Sequence, residues 1–324
     1  MSTPRLLVLA TLLVALATMS HAQDVRRCAD CGQIVLEESL EADGRYFHPE
    51  HFRCDYCKKP IDGTYAPVED KFYHRECYVK QFVVVCFVCN KPLQEEYRLD
   101  YWGNASHASH QDETPSCDFC RRYIVGGFGA GSAELPDGRR LCGVCAATSV
   151  TTVEKVQELL PVIVTSLEGH AIRVSSEGIP LLLVGSDRMK MLTSGGGHVL
   201  AGFTDYSLTP TESDAPDIRA FNVSLLYGMP ELEMASTVAH ELMHVWMFRN
   251  DVPQHDLPWV EGSCQYASYL VMKDVGTKES AFIMQQIESA TDSTYGGGFR
   301  RVKGFVDENG VDAWLSALTS RTGE

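Results

Sequence analysis

The stretch that decides the fold is Pro230-Glu-Leu-Glu-Met-Ala-Ser-Thr-Val-Ala-His-Glu-Leu-Met-His-Val-Trp246, centred on His240-Glu241-Leu242-Met243-His244. Positions four apart on a helix lie one turn above each other on one face. His240 and His244 can therefore grip one metal ion, while Glu241 projects beside it toward a metal-bound water. This is the HExxH arrangement of zinc peptidases. Pro230 stands where a helix tolerates proline, at its start, and Pro253 and Pro258 bound the far end. Leu232, Ala235, Val238, Ala239, Leu242 and Trp246 form the expected core side, with the two histidines at its border.

A hydrolytic zinc needs a third protein ligand and one open position for water. Glu261, in Leu257-Pro-Trp-Val-Glu-Gly-Ser-Cys-Gln-Tyr-Ala, is separated from His244 by sixteen residues and lies in the first turn of a second expected helix, Trp259 to Met272. Two antiparallel helices with a short loop would return Glu261 to the histidines, completing a His2Glu set. His255 competes from a loop between prolines, and a first-turn acid also suits the helix dipole on its own. In the chemistry this set performs, zinc lowers the pKa of its water to about 7 and polarises the carbonyl, and Glu241 takes the proton. A donor for the oxyanion is also required. Tyr206, Tyr266 and His255 are candidates among which the sequence does not choose. Cys264, one turn after Glu261, reads as a small buried residue. His170 and His198 have no partner pattern.

Working toward the N-terminus, Ile218 to Leu226 alternates as a half-buried strand that could pair with an extended substrate or serve as a structural edge. Ile179 to Gly185 and residues 198–204 are two further strand candidates, separated by a Gly195-Gly-Gly197 turn. Thr148 and Ser149, or Thr151 with Glu154, can cap a helix running toward Leu160. Beyond the second helix, further helices are expected at 278–290, 299–308 and Val311 to Leu318, with Gly296-Gly-Gly298 as a break.

Eleven of the twelve cysteines fall between Cys28 and Cys145, in register with histidines. Cys28 and Cys31 pair with His48 and His51, Cys54 and Cys57 with His74 and Cys77. Cys86 and Cys89 pair with His107 and His110, Cys117 and Cys120 with Cys142 and Cys145. Each set offers four ligands in two tight knuckles, closed to water, as structural zinc requires. A disulfide framework would leave five histidines at ligand spacing without a role. Modules this small cannot bury a sufficient core, and zinc binding worth about 10–16 kcal/mol supplies their folding energy. Only two residues separate His51 from Cys54, so the first two sites share one core, with Phe47, Phe52, Tyr56, Phe72 and Tyr73 expected between the metals. That tandem layout, with Arg45-Tyr-Phe-His-Pro-Glu-His-Phe-Arg-Cys, looks like a LIM domain. The second pair is looser: six residues separate His110 from Cys117.

The chain has 324 residues, 44% apolar and 22% charged, with a formal charge of −15. Such a balance argues against nucleic acid, which needs a concentrated basic surface. Arg5, the apolar run Leu6 to Thr18 and Ser20-His21-Ala22 have the form of a secretory leader too short to span a bilayer comfortably. The expectation is a mature protein beginning near Gln23, secreted or periplasmic, without stable membrane insertion. Asn104 and Asn222 stand in glycosylation sequons that matter only in a eukaryotic secretory pathway.

With these residues placed, the chain resembles the DA-one family of LIM-domain zinc peptidases, known in plants as ubiquitin-activated regulators of organ size. The resemblance runs from the LIM phrases through Thr114-Pro-Ser-Cys-Asp-Phe-Cys, Leu135-Pro-Asp-Gly-Arg-Arg-Leu-Cys-Gly-Val-Cys and Tyr227-Gly-Met-Pro. It continues to His240-Glu-Leu-Met-His-Val-Trp and Val260-Glu-Gly-Ser-Cys-Gln. It implies His240, His244 and Glu261 as ligands of one catalytic zinc, Glu241 as general base and about four structural zincs. No ubiquitin-interacting helix is read before Cys28, so ubiquitin activation is not carried over.

The expectation is an α+β chain: zinc-stapled β-hairpin LIM and LIM-like modules, then a mainly helical zincin-type (gluzincin-like) metallopeptidase domain with a small sheet. Its parts are a signal peptide at 1–22, a LIM domain at 23–80, a LIM-like module at 81–148 and the peptidase domain at 149–324. Expected partners are protein or peptide substrates and a LIM-bound protein. The rival reading is a LIM-type interaction module with an inactive peptidase domain.

Overall fold

Each C-x2-C knuckle is followed by a short antiparallel hairpin in the computed structural model, which describes residues 26–36, 38–93, 96–126, 131–193, 200–209, 218–253 and 255–320. The leader expected at 1–22, the Gly195–Gly197 turn and His198 lie outside the described residues. The described residues form two compact units. One comprises those of Met1–Val85 and Lys91–Gln94, the other those of Cys86–Asn90 and Glu95–Glu324.

In the first unit, β1 (Leu40–Ala42) pairs with β2 (Arg45–Phe47), and β3 (Tyr65–Val68) with β4 (Lys71–His74), which leads into helix α1 (Arg75–Phe82). Strands of three or four residues cannot hold themselves together, so an aromatic cluster and the knuckles do. Phe72 meets Phe47 and Phe52 edge-on at 5.6 and 5.0 Å, in the favoured tilted geometry. Tyr56, expected in this core, is exposed, and Tyr65 takes its place against Phe52. Tyr56 lies inside a knuckle turn, where the chain is bent around its ligands and its side chain points outward.

The second unit begins with a module of the same kind: β5 (Tyr97–Leu99), β6 (Ala105–His107), α2 (His110–Glu113), β7 (Ala133–Glu134), β8 (Arg140–Leu141) and α3 (Gly143–Ala147). It continues through α4 (Val153–Gly169), β9 (Leu181–Val184), α5 (Ser186–Leu192), β10 (Gly202–Thr209) and β11 (Ile218–Leu226). Five helices follow the last strand: α6 (Glu231–Arg249), α7 (Leu257–Val275), α8 (Lys278–Ser289), α9 (Tyr295–Asn309) and α10 (Val311–Thr319). The architecture is therefore mixed, with small hairpin modules and a helical C-terminal region beside one three-stranded sheet.

Helix α6 is the centre of that region. It packs against α4, α7, β10 and β11, so residues on almost every side are buried, including Met234, Ala239, Leu242, Met243, Val245 and Trp246. Filling such a core with whole apolar side chains contributes roughly 1.5–3 kcal/mol for each. The sheet order is β10-β11-β9, with β11 antiparallel to β10 and parallel to β9. Residues 223–226 are thus central, with both edges filled, and among the described residues only 218–222 of the strand expected to meet a substrate lack a partner on the β9 side. β10 is the edge strand beside α6.

Two helices differ from their sequence expectation. Thr152, rather than Thr151 or the preceding pair, caps α4 by accepting from the Lys155 N–H at 3.3 Å, and the helix runs past Pro161 to Gly169. α9 begins at Tyr295, with Gly296–Gly298 inside its first turns. Those glycines are there for contact. Gly298 lies against α7 so closely that a Cβ on it would stand 3.1 Å from Gly262 Cα and overlap the Pro258 carbonyl.

Candidate metal centres and active site

In all four modular clusters the structure brings the expected residues together. Cys28, Cys31, His48 and His51 converge, as do Cys54, Cys57, His74 and Cys77. Cys86, Cys89, His107 and His110 form the third group, and Cys117, Cys120, Cys142 and Cys145 the fourth, with ligand atoms within 4.8 Å of one another. Cys31 Sγ is 3.5 Å from His48 Nδ1, Cys57 Sγ 3.4 Å from His74 Nδ1, and Cys120 Sγ 3.5 Å from Cys142 Sγ. A tetrahedron built on zinc–sulfur bonds of about 2.3 Å has edges of about 3.8 Å, so the donor sets fit the ion. All twelve cysteines are free. Burial works against the thiolates, but knuckle N–H groups outweigh it and bring Cys28, Cys54 and Cys86 to about 6. Buried His110 Nε2 has no hydrogen-bond partner.

The fifth centre grows from α6 and α7. The α7 cap is Asp256, whose carboxylate accepts from the Trp259 N–H at 3.1 Å and is held by Arg301 at 2.8 Å. The returning helix carries Glu261 to the histidines: its Oε2 lies 3.2 Å from His240 Nε2 and 3.6 Å from His244 Nε2. That oxygen is buried and makes no aligned hydrogen bond. Two imidazole nitrogens and a carboxylate oxygen converging without mutual hydrogen bonds are a donor set suited to a divalent cation. Burial would raise the Glu261 carboxyl, but the two imidazoles facing it pull it down to about 2. Burial disfavours charge on His244, yet Cys264, Glu261 and Glu241 around it raise its pKa well above the usual value.

Cys264 also reaches this group, with Sγ 3.5 Å from His244 Nδ1, and its thiol is pushed up to about 11 by burial. His244 cannot use both ring nitrogens on one ion. Glu261 lines the open cleft, whereas Cys264 is wholly buried and does not. The set with an open position is therefore the one made by both Nε2 atoms and Glu261. Cys264 accepts from His244 Nδ1–H and fixes the ring, the usual role of a group behind a metal-bound histidine.

Glu241 is buried and, among the described residues, is held at one carboxylate oxygen. Thr204 of β10 donates its hydroxyl to Oε2 at 2.6 Å. The strand passes so close that a Cβ on Gly202 would fall 2.5 Å from Oε1 and 2.7 Å from Thr237 Cγ2. Glycine at 202 thus lets the edge strand run directly over the carboxylate.

The cleft has a volume of about 570 Å³. One wall is β10, the floor is α6 and α7, and the far wall is α8 with Tyr295. None of the three expected oxyanion donors lines it. Tyr206 stacks on Phe248 at 4.3 Å, Tyr266 packs edge-on to Trp314 at 5.2 Å, and His255 Nε2 donates to the Leu318 carbonyl at 2.8 Å. Tyr295 is there instead, its ring centre 6.3 Å from that of His240. Burial, with Glu261 and Glu241 nearby, pushes its hydroxyl up to about 12, so it remains a donor. Sequence reading passed over Tyr295 because the glycines after it look like a turn. Asp292, which accepts from the Tyr295 N–H at 2.6 Å, was the available signal for a helix start. His170 is bound to Asp274 at 3.0 Å, away from the cleft.

The far wall is anchored by the second module. Trp102 donates to the Cys120 carbonyl at 2.8 Å and packs on Phe282 of α8 at 5.2 Å. The Arg122 guanidinium lies over the Trp102 ring at 3.3 Å and reaches Glu279 at 3.4 Å. The adjoining side of α8, with Ile283, Gln286 and Ile287, lines the cleft.

This combination of hairpin metal modules and a two-helix His2Glu centre defines the class to which the chain compares. Residues 28–82 match the LIM domain, and residues 211–280, which contain α6 and α7, match the DA1-like family described as Protein DA1. The chain is 26% identical to Protein DA1-related 1 of Arabidopsis thaliana, over 90% of this chain and 65% of that protein, so it spans just under two thirds of that relative. It is 24% identical to LIM domain-containing protein HDR3 of Oryza sativa subsp. japonica, over 93% of this chain and 74% of that protein. It is 26% identical to Protein DA1 of Arabidopsis thaliana, over 93% of this chain and 68% of that protein. The chain thus combines a LIM domain with a DA1-like segment and is homologous to DA1 proteins. Among the described residues no helix is long and apolar enough to cross a membrane.

Proposed function

We propose that this chain is a zinc metallopeptidase of the zincin type, hydrolysing peptide bonds of protein substrates, with its LIM and LIM-like modules recruiting substrate or partner. The observation that carries this reading is the convergence of His240 Nε2, His244 Nε2 and Glu261 Oε2 at the open cleft, beside a carboxylate held by Thr204. His240, His244 and Glu261 would hold Zn²⁺, which when bound supplies Lewis acidity and a water of lowered pKa. Glu241 takes the proton of the attacking water on Oε1, while the Thr204 hydroxyl keeps Oε2 in place. It returns that proton to the leaving amine. Tyr295 donates its hydroxyl to the developing oxyanion. An extended substrate adds along the open edge of β10, which brings its backbone past Glu241. The leader form of residues 1–22 extends the proposal to an exported enzyme acting outside the cytoplasm.

Metal content tests the ligand set. Metal analysis of the folded wild type should give five zinc ions per chain, four from the modules and one from the cleft. Glu261→Ala should retain four and lose hydrolysis. Retention of all five in that variant would remove Glu261 from the set, and a single zinc with loss of free thiols would overturn the modular sites. Tyr295→Phe should lower kcat about a hundredfold at nearly unchanged KM, as loss of one oxyanion donor does. An unchanged kcat would remove Tyr295 from the mechanism.

A further inference from the structure

The cleft contains a carboxylate that the hydrolytic reading leaves unused. Glu233 lines it, two helical turns before His240 on the same face of α6. Among the described residues its side chain has no hydrogen bond and no ion pair. A first-turn acid often serves the helix dipole, but Glu231 already stands there and is paired with Lys155 at 3.0 Å. Glu233 is half-buried in the cleft lining. A half-buried carboxylate without a partner is a site that a cationic ligand can complete.

Charge balance says what that ligand is. Among the described residues the cleft lining holds three carboxylates, Glu233, Glu241 and Glu261, and no lysine or arginine; Arg121, the cation felt by Glu233, does not line it. A divalent cation on His240, His244 and Glu261 balances Glu261 and Glu241. Glu233 is left over. Seven residues of helix rise about 10.5 Å, and an extended peptide advances about 3.3 Å per residue. A side chain meeting Glu233 therefore belongs to a residue two or three positions from the bond at the metal.

We propose that Glu233 forms a specificity subsite that selects a lysine or arginine side chain two or three residues from the scissile bond. This deepens the peptidase reading and rests on it. The lysine or arginine donates to the Glu233 carboxylate, while Ile283 and Ile287 of α8 in the same cleft wall cover the aliphatic stem of the side chain.

The test separates binding from hydrolysis. Zinc-loaded full-length Glu241→Gln is titrated by fluorescence anisotropy with blocked octapeptides that differ only in carrying lysine or norleucine at each position in turn. At one position lysine should bind about tenfold tighter than norleucine, as a charge-assisted hydrogen bond allows. The preference should fall below twofold when Glu233→Gln is added and survive in Glu233→Asp. Equal affinities at every position, including no binding at all, overturn the subsite. A lysine preference that persists in Glu233→Gln overturns it too. Failure of the wild type to cleave any protein would instead count against the peptidase reading, and the binding comparison would still decide the subsite.

Discussion

Gly262→Ala should lower the melting temperature of the zinc-loaded protein by about 10 °C or more and abolish cleft function. The added methyl would overlap the Gly298 carbonyl and stand 2.7 Å from Gly298 Cα. All these atoms are backbone, so no side chain can rotate away, and α7 and α9 must separate. Overpacking a core ordinarily costs about 1–3 kcal/mol. Here the clash lies at a helix–helix crossing, and a cost above about 4 kcal/mol is expected, with each kcal/mol worth about 2–4 °C in a unit of this size. The crossing also positions chemistry: Glu261 precedes Gly262, and Tyr295 opens the helix that Gly298 presses home. Gly304→Ala, on the same α9 but with open space at its Cβ, is the control and should stabilise by up to about 1 kcal/mol. Thermal unfolding followed by circular dichroism distinguishes the two. Equal effects would mean that the helices do not meet through their glycines.

How far the sequence carried the fold depended on which signal each element used. The HExxH helix, Ile218–Leu226, α8 and α10 were legible because periodicity and punctuation agree there. The four modular ligand sets were legible because two-residue spacers are rigid geometry written in sequence. The return of Glu261 to the two histidines was legible from its place in the first turn of a returning helix, whereas His255 is bonded to Leu318 instead. The rank of β11 within its sheet was not legible, since which strand is central depends on long-range pairing that alternation does not encode. Tyr295, Thr204 and Gly202 reach Glu241 or His240 from elements distant in sequence. The glycines at 296–298 read as a break because local propensity disfavours glycine in helices. Tertiary contact reversed that preference.

Glu241→Gln should reduce hydrolysis by at least about a thousandfold while leaving fold and metal intact. Glutamine has the same shape, its carbonyl oxygen still accepts from Thr204, and no ligand to the proposed metal changes. What it lacks is a site to take the proton of the attacking water, a contribution worth about 10²–10⁴ in rate, with the later transfer to the leaving amine lost as well. The decisive measurement incubates a denatured protein mixture with zinc-loaded wild type or Glu241→Gln and maps new termini by mass spectrometry. The account predicts new termini with the wild type, and none above background with the variant at equal zinc content. New termini produced equally by both proteins, or by neither, would contradict it.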